Sequence, residues 1–237
     1  MQKIFIIHGW TYTTDAWNAL LRVLRSRGFE PILLSVPGLT TASTDVWTVE
    51  KYIAWLKKQI ADEPQVTLVG HSNGGRIAMA FAATYPERVA HLFLINAAGV
   101  VHREFPLRAK RAVFKAITKV GKRMTSSPFV RKIFYRLISA RDYERASPTM
   151  RETMRNLIAY DATALLPRIT APTLIIWSAK DTVTPLADAY LLHNGIPRSE
   201  VIVIPDGAHS PHATHPEKVG ALIADSLTTA PRETREK

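Results

Sequence analysis

The sequence predicts an α/β fold: about six mostly parallel strands flanked by helices, with one all-helical insert after the fourth strand. Three observations lead there. Short runs rich in β-branched and aromatic residues alternate with segments whose apolar residues recur every three or four positions. That alternation is the pattern of a parallel sheet with crossover helices on both faces. It fails once, between about residues 100 and 165, where only helical spacing is left. The 237 residues are 46% hydrophobic and 22% charged, an ordinary globular balance that excludes a disordered or low-complexity chain. A chain of this length buries roughly 70–75% of its unfolded surface without help from metals or disulfides.

Taken in order, residues 3–8 form a short β-branched and aromatic run, a buried strand ending in His8-Gly9. Residues 14–27 carry Trp17, Leu20, Leu21 and Leu24 at helical spacing, closed by Gly28. Residues 31–36 read as the second strand, stopped by Pro37-Gly38. Asp45 is placed to cap a helix with Val49, Ile53 and Leu56 on its apolar face. Residues 66–69 make a third strand that runs into Gly70-His71-Ser72-Asn73-Gly74-Gly75, followed by an Ala-rich helix over 76–85. Residues 89–95 give the fourth strand, 172–177 the fifth, 184–193 a helix, 201–204 the sixth strand and 215–227 a last helix.

In the insert, Val113, Ile117, Val120 and Met124, and then Phe129, Ile133, Phe134 and Leu137, follow spacings of three and four. They predict amphipathic helices forming a cap over the C-terminal edge of the sheet, where open α/β sheets bind ligands. The expected organisation is a core over 1–99, a basic helical cap over 100–165 and the rest of the core over 166–237. The chain's formal net charge of +11 lies in the cap region: residues 101–155 hold 15 of the 31 Lys and Arg but only four acids, Glu104, Asp142, Glu144 and Glu152. The plainest reading is a solvated helical face; the sharper ones are attraction of an anionic substrate or an anionic membrane surface. Few aromatics interleave with these charges, so nucleic acid is not expected as a partner.

The strongest motif is Gly70-His71-Ser72-Asn73-Gly74. Gly-x-Ser-x-Gly alone is a weak pattern. Between a buried strand and a helix it describes a tight turn that lifts a serine hydroxyl above the sheet edge, with small residues where the chain crowds itself. A hydroxyl is a poor nucleophile without a base. His209, in the loop after the sixth strand, falls at the same edge; His212 is its rival, while His91 and His193 read as structural. The base needs a carboxylate to fix its tautomer. Asp181, just after the fifth strand, fits; Asp206 reads as a turn residue and Asp161 is an outsider near the end of the cap. The oxyanion donors are expected to be the backbone amide of Asn73 and one from the loop His8-Gly9-Trp10, assigned to Trp10. His8 is then a support that holds this loop by hydrogen bonds.

With these motifs in place the sequence resembles the α/β-hydrolase superfamily, in particular its small esterase/lipase-like and haloperoxidase-like members. The resemblance rests on His8-Gly9-Trp10, Gly70 to Gly75, Asp181-Thr182-Val183-Thr184-Pro185 and Gly207-Ala208-His209, in that order. It implies oxyanion loop, nucleophile elbow, acid loop and histidine loop, and a minimal fold that starts at what looks like the family's third strand. Ser35-Val36-Pro37-Gly38-Leu39-Thr40 departs from the family's turn by lacking its acid and histidine. The serine also separates the chain from dehalogenases and epoxide hydrolases, which use aspartate there, and dienelactone hydrolases, which use cysteine.

The expected function is hydrolysis of carboxylic esters of small to medium acyl chains by Ser72, His209 and Asp181 through an acyl-enzyme. A lactonase, thioesterase, perhydrolase or amidase on the same residues is the alternative, and a non-catalytic binding protein the more distant one. The chain has no cysteine, which excludes thiol catalysis and disulfides. No metal-ligand constellation or phosphate-binding glycine loop stands out, so no cofactor or metal is expected. Neither a signal peptide nor a membrane-spanning run is visible, so the expected location is cytoplasmic.

Overall fold

The computed structural model describes residues 1–101 and 146–228. Six strands form one parallel sheet in the order β2-β1-β3-β4-β5-β6. They are β1 (Gln2–Ile7), β2 (Phe29–Leu33), β3 (Val66–His71), β4 (Val89–Ile95), β5 (Thr173–Ser178) and β6 (Ser199–Ile204). The chain steps from β1 outward to β2 and then back across β1 to β3. The switch in direction leaves a crevice above the C-terminal ends of β1 and β3, the place where such sheets bind ligands.

Strand alternation divides the core in two. Ile4 and Ile6 of β1, Val69, Phe93 and Ile95 face α1 (Asn18–Ser26) and α7 (Pro216–Thr228), which contribute Leu20, Leu24, Val219 and Ile223. Phe5, Ile7, Leu68, Leu92 and Leu94 face the other side, against α2 (Val49–Gln59), α3 (Asn73–Thr84) and α5 (Leu186–Gly195). Because α3 lies under the sheet's centre, its residues from Asn73 to Ala83 are all buried, Arg76 included.

Several boundaries differ from the sequence reading. β2 begins at Phe29, directly after Gly28 turns the chain at φ 86°, and ends at Leu33. Val36 is outside the sheet because its N–H donates to Thr40 Oγ1 at 2.9 Å rather than to a strand. Pro31 is tolerated because β2 is an edge strand. The cap of α2 is Thr48, whose side chain accepts from Lys51 N; Asp45 sits in the preceding loop with its own N–H on Ser43 Oγ. Helix α3 starts three residues earlier than its Ala-rich stretch, immediately after Ser72.

Of the expected cap, the spacings from Val113 to Leu137 lie outside the described residues. The described chain resumes in α4 (Pro148–Ala159), capped by Ser147 on Met150 N. A short helix, Pro211–Thr214 (α6), precedes α7. The loop before α2 fastens α4: Trp47 N donates to Thr153 Oγ1 at 2.9 Å, and Asn156 Nδ2 donates to Trp47 O at 3.2 Å. The segments on either side of the insert meet, Ala162 N donating to Gly99 O at 2.8 Å. No helix among the described residues is long and apolar enough to cross a membrane.

Candidate active site

Ser72 sits between β3 and α3 at φ 51° and ψ −118°, a left-handed strained backbone for a residue with a side chain. Its carbonyl accepts from Gly75 N, Arg76 N and Ala98 N, and its N–H donates to Ile95 O. These bonds satisfy the turn's backbone while tipping the hydroxyl above the sheet edge. The two motif glycines are enforced by space. A Cβ on Gly74 would stand 2.0 Å from Ile7 O, and one on Gly70 2.7 Å from Gly74 O. Gly9 passes as closely over His71 and Ser72, a Cβ there coming within 3.0 Å of both side chains.

The loops after β5 and β6 bring Asp181 and His209 to this hydroxyl. His209 Nε2 lies 3.0 Å from Ser72 Oγ, and His209 Nδ1 lies 2.8 Å from Asp181 Oδ2. An ionised carboxylate only accepts, so in neutral His209 Nδ1 carries the proton and Nε2 presents its lone pair to the serine. Burial works to raise the Asp181 pKa, but the bonds from His209, Thr184 Oγ1 and Val183 N outweigh it and hold the carboxyl below its ordinary value. The other candidates are occupied elsewhere. His212 stacks on Trp17, ring centroids 4.0 Å apart, and burial pushes its pKa down to about 3. Asp206 faces His215 at 3.1 Å, and Asp161 accepts from Thr163 at the start of a 3-10 helix.

His8 bonds to its own loop and to the turn after β2: Nδ1 donates to Gly9 O at 2.8 Å, while Nε2 pairs with Thr40 Oγ1 at 2.8 Å. Burial, outweighing the Gly9 bond, lowers its pKa and favours the neutral ring. His71 is more than a spacer in the turn. Its Nε2 donates to His209 O at 2.8 Å, and burial followed by the neighbouring His212 and His209 pushes its pKa well down.

Two supporting roles, of Asn96 and of Thr184, escaped the sequence reading. Asn96, just past β4 at φ 41°, donates from Nδ2 to Ala208 O at 3.0 Å and His209 O at 3.2 Å, and its Oδ1 accepts from Ser178 N at 2.9 Å. One side chain thus ties the acid loop to the histidine loop. Thr184 holds both Asp181 oxygens, through its N–H and its hydroxyl. An Asp-x-x-Thr spacing after a strand is a local signal for that contact; for Asn96 the only one is an Asn closing a β-run, a residue tolerant of positive φ.

A cleft of about 390 Å³, counted to its open mouth, lies over Ser72. Trp10 and Asn73 line it, together with Arg76, Ala98, Val183 and Thr184, and α4 adds Met154, Leu157 and Ile158. Asn73 opens α3, so its amide is among those with no carbonyl partner inside the helix. Among the described residues no group of three or more His, Asp or Glu is arranged to hold a metal.

A family profile described as alpha/beta hydrolase fold matches residues 3–216. Among curated relatives, the monoacylglycerol lipase ABHD6 of Rattus norvegicus is 23% identical over 96% of this chain and 75% of its own. The pimeloyl-[acyl-carrier protein] methyl ester esterase of Aeromonas hydrophila subsp. hydrophila is 25% identical over 93% of each chain. Among solved structures, a hydrolase of Pseudomonas aeruginosa PA01 superposes with a TM-score of 0.72 at 19% identity, over 96% of this chain and 90% of that one. A thermophilic esterase of Thermogutta terrifontis, solved with malate bound, gives 0.68 at 24% identity over 96% and 89%.

Proposed function

The chain belongs to the alpha/beta-hydrolase fold family, and on that premise we propose that it hydrolyses carboxylic esters of small to medium acyl chains, with Ser72 as nucleophile, His209 as base and Asp181 as its carboxylate. The observation that carries this reading is the unbroken line from Asp181 Oδ2 through both His209 nitrogens to Ser72 Oγ, with links of 2.8 and 3.0 Å. That both named relatives act on carboxylic esters, a lipase and a methyl ester esterase, favours an ester over an amide. The apolar α4 face over the serine suits an acyl chain.

His209 Nε2 takes the Ser72 proton as Oγ bonds to the ester carbonyl carbon. The carbonyl oxygen becomes an oxyanion held by the Asn73 and Trp10 amides; one such donor is worth about a hundred- to a thousandfold in rate. Asp181 stabilises the imidazolium, which then protonates the departing alcohol. Water, deprotonated by His209, attacks the acyl-enzyme, and the carboxylic acid leaves as the proton returns to Ser72.

The test is hydrolysis of p-nitrophenyl esters from acetate to palmitate by wild type beside Ser72→Ala, with fluorophosphonate labelling in parallel. Turnover that peaks at short to medium chains and drops about a thousandfold or more in the variant is the expected result. An unlabelled Ser72, or equal rates in both proteins, overturns the proposal. Labelling without ester turnover moves the reading to a thioester, lactone or amide.

A further inference from the structure

Arg76 is 7% exposed and lines the same cleft as Ser72. It follows the serine by four residues on α3, about 6 Å further along the helix axis. A guanidinium taken out of water costs several kcal/mol unless something compensates it. Here little does. Its Nη1 donates to Asn73 Oδ1 at 2.5 Å, its Nε has no acceptor, and none of the ion pairs among the described residues involves it. Burial pushes its pKa down to about 10, which leaves it cationic at neutral pH.

The neighbouring polar groups share the deficit. Asn73 Nδ2 and Trp10 Nε1, on two other residues of the cleft wall, are also buried without an acceptor. All three groups are donors, so what the wall lacks among the described residues is acceptor oxygen and negative charge. Apart from Ser72 and Thr184, whose hydroxyls face His209 and Asp181, the remaining surface is apolar, from Ala98, Val183, Met154, Leu157 and Ile158. A donor-only cationic corner beside an apolar wall fits a short hydrocarbon spacer that ends in a carboxylate.

Building on the ester-hydrolase reading, we propose that Arg76 is the specificity residue of this cleft and that the preferred substrates are esters carrying a second, free carboxylate a few carbons from the scissile bond. Arg76 touches the substrate's carboxylate, which supplies the counter-charge that the described residues leave out. A site built around an unpaired cation disfavours the neutral analogue, because binding it would leave the charge buried and unanswered.

The experiment compares matched pairs by pH-stat titration. Monoethyl glutarate against ethyl pentanoate places the carboxylate on the acyl side; 4-acetoxybenzoate against phenyl acetate places it on the leaving group. In wild type the anionic member of one pair is expected to lead in kcat/KM by about ten- to a hundredfold, mostly through KM. Arg76→Gln is expected to abolish that ratio and Arg76→Lys to keep part of it. The proposal is overturned if both pairs favour the neutral ester, or if Arg76→Gln slows both members of a pair by one factor, which would make Arg76 only a positioning residue for Asn73. Glutarate binding to the Ser72→Ala protein, followed by calorimetry, is independent of turnover. Binding that Arg76→Gln removes upholds the anion site even if no ester is cleaved, and no binding in the presence of Arg76 overturns it.

Discussion

The serine turn and the acid–base loops reach the same few ångströms of space by opposite means. The turn is held by shape. Gly74 lies against the carbonyls of Ile7, the last residue of β1, and His8 just after it, with no room for another carbon, and Ser72 keeps a left-handed backbone because the chain on both sides forces it. The loops bearing Asp181 and His209 are held by hydrogen bonds, gathered on Asn96, Thr184 and His71. Shape rejects an added atom, whereas a hydrogen-bonded hub suffers when a partner is taken away. The Ser72 hydroxyl is therefore fixed by what is excluded, and the Asp181 and His209 side chains that meet it by what is bonded.

The largest expected effect comes from adding one methyl group to the shape-held half. Gly74→Ala drives a Cβ into β1 backbone, which cannot rotate away as a side chain would. A loss of about 3 kcal/mol or more is expected, read as the shift in a denaturant midpoint. A variant within about 1 kcal/mol of wild type would mean that the turn is not held sterically.

Removing the hub should cost less in stability and more in alignment. Asn96→Ala leaves Ser178 N–H and the carbonyls of Ala208 and His209 short of partners. A destabilisation of about 2–3 kcal/mol is expected, with a fall in kcat at fixed substrate beyond what the folded fraction explains. If kcat per folded molecule is unchanged, the two loops are aligned by something other than Asn96.

The smallest effect per step is acid sensitivity. His212 is buried with its pKa pushed to about 3, and His71 is shifted in the same direction. On acidification the unfolded chain takes up these protons first, near its ordinary value of about 6.5, while the folded chain does not. Stability is thus complete above about pH 6.5 and falls below it, by on the order of 1 kcal/mol per pH unit for each ring. His212→Phe keeps the stack on Trp17 and removes one titration, so the drop in melting temperature from pH 6.5 to 5.5 should shrink. An unchanged slope would show that His212 does not carry the acid sensitivity.

The same division explains what could be read from the sequence. Steric demands leave local marks: the glycines around Ser72 and the β-branched runs before each loop placed all six strands and the serine. Their places in the loops after the fifth and sixth strands then singled out Asp181 and His209, whose side chains line up with the serine. A hydrogen-bonded hub leaves little. The partners of Asn96 lie 82, 112 and 113 residues away, and no spacing encodes them. Arg76 looked like the polar opening of an Ala-rich helix, because local sequence does not say that the helix runs beneath a sheet and a cleft. Asp45 reads as the cap because Asp is a good cap by composition, but the helix begins at Val49 with Thr48 as its cap, where Trp47 is held by tertiary contacts.

The bond between Ser72 and His209 spans 137 residues of chain. In a parallel sheet no two neighbouring strands can pair through a tight hairpin, so each closes a long loop before it gains any contact. A ribosome that has released β3 and α3 has delivered Ser72 but not His209. Synthesis must continue through β6 and the following loop before the hydroxyl has its imidazole partner. The contact between the serine and the histidine is therefore made only once the chain through β6 and the loop after it has been synthesised.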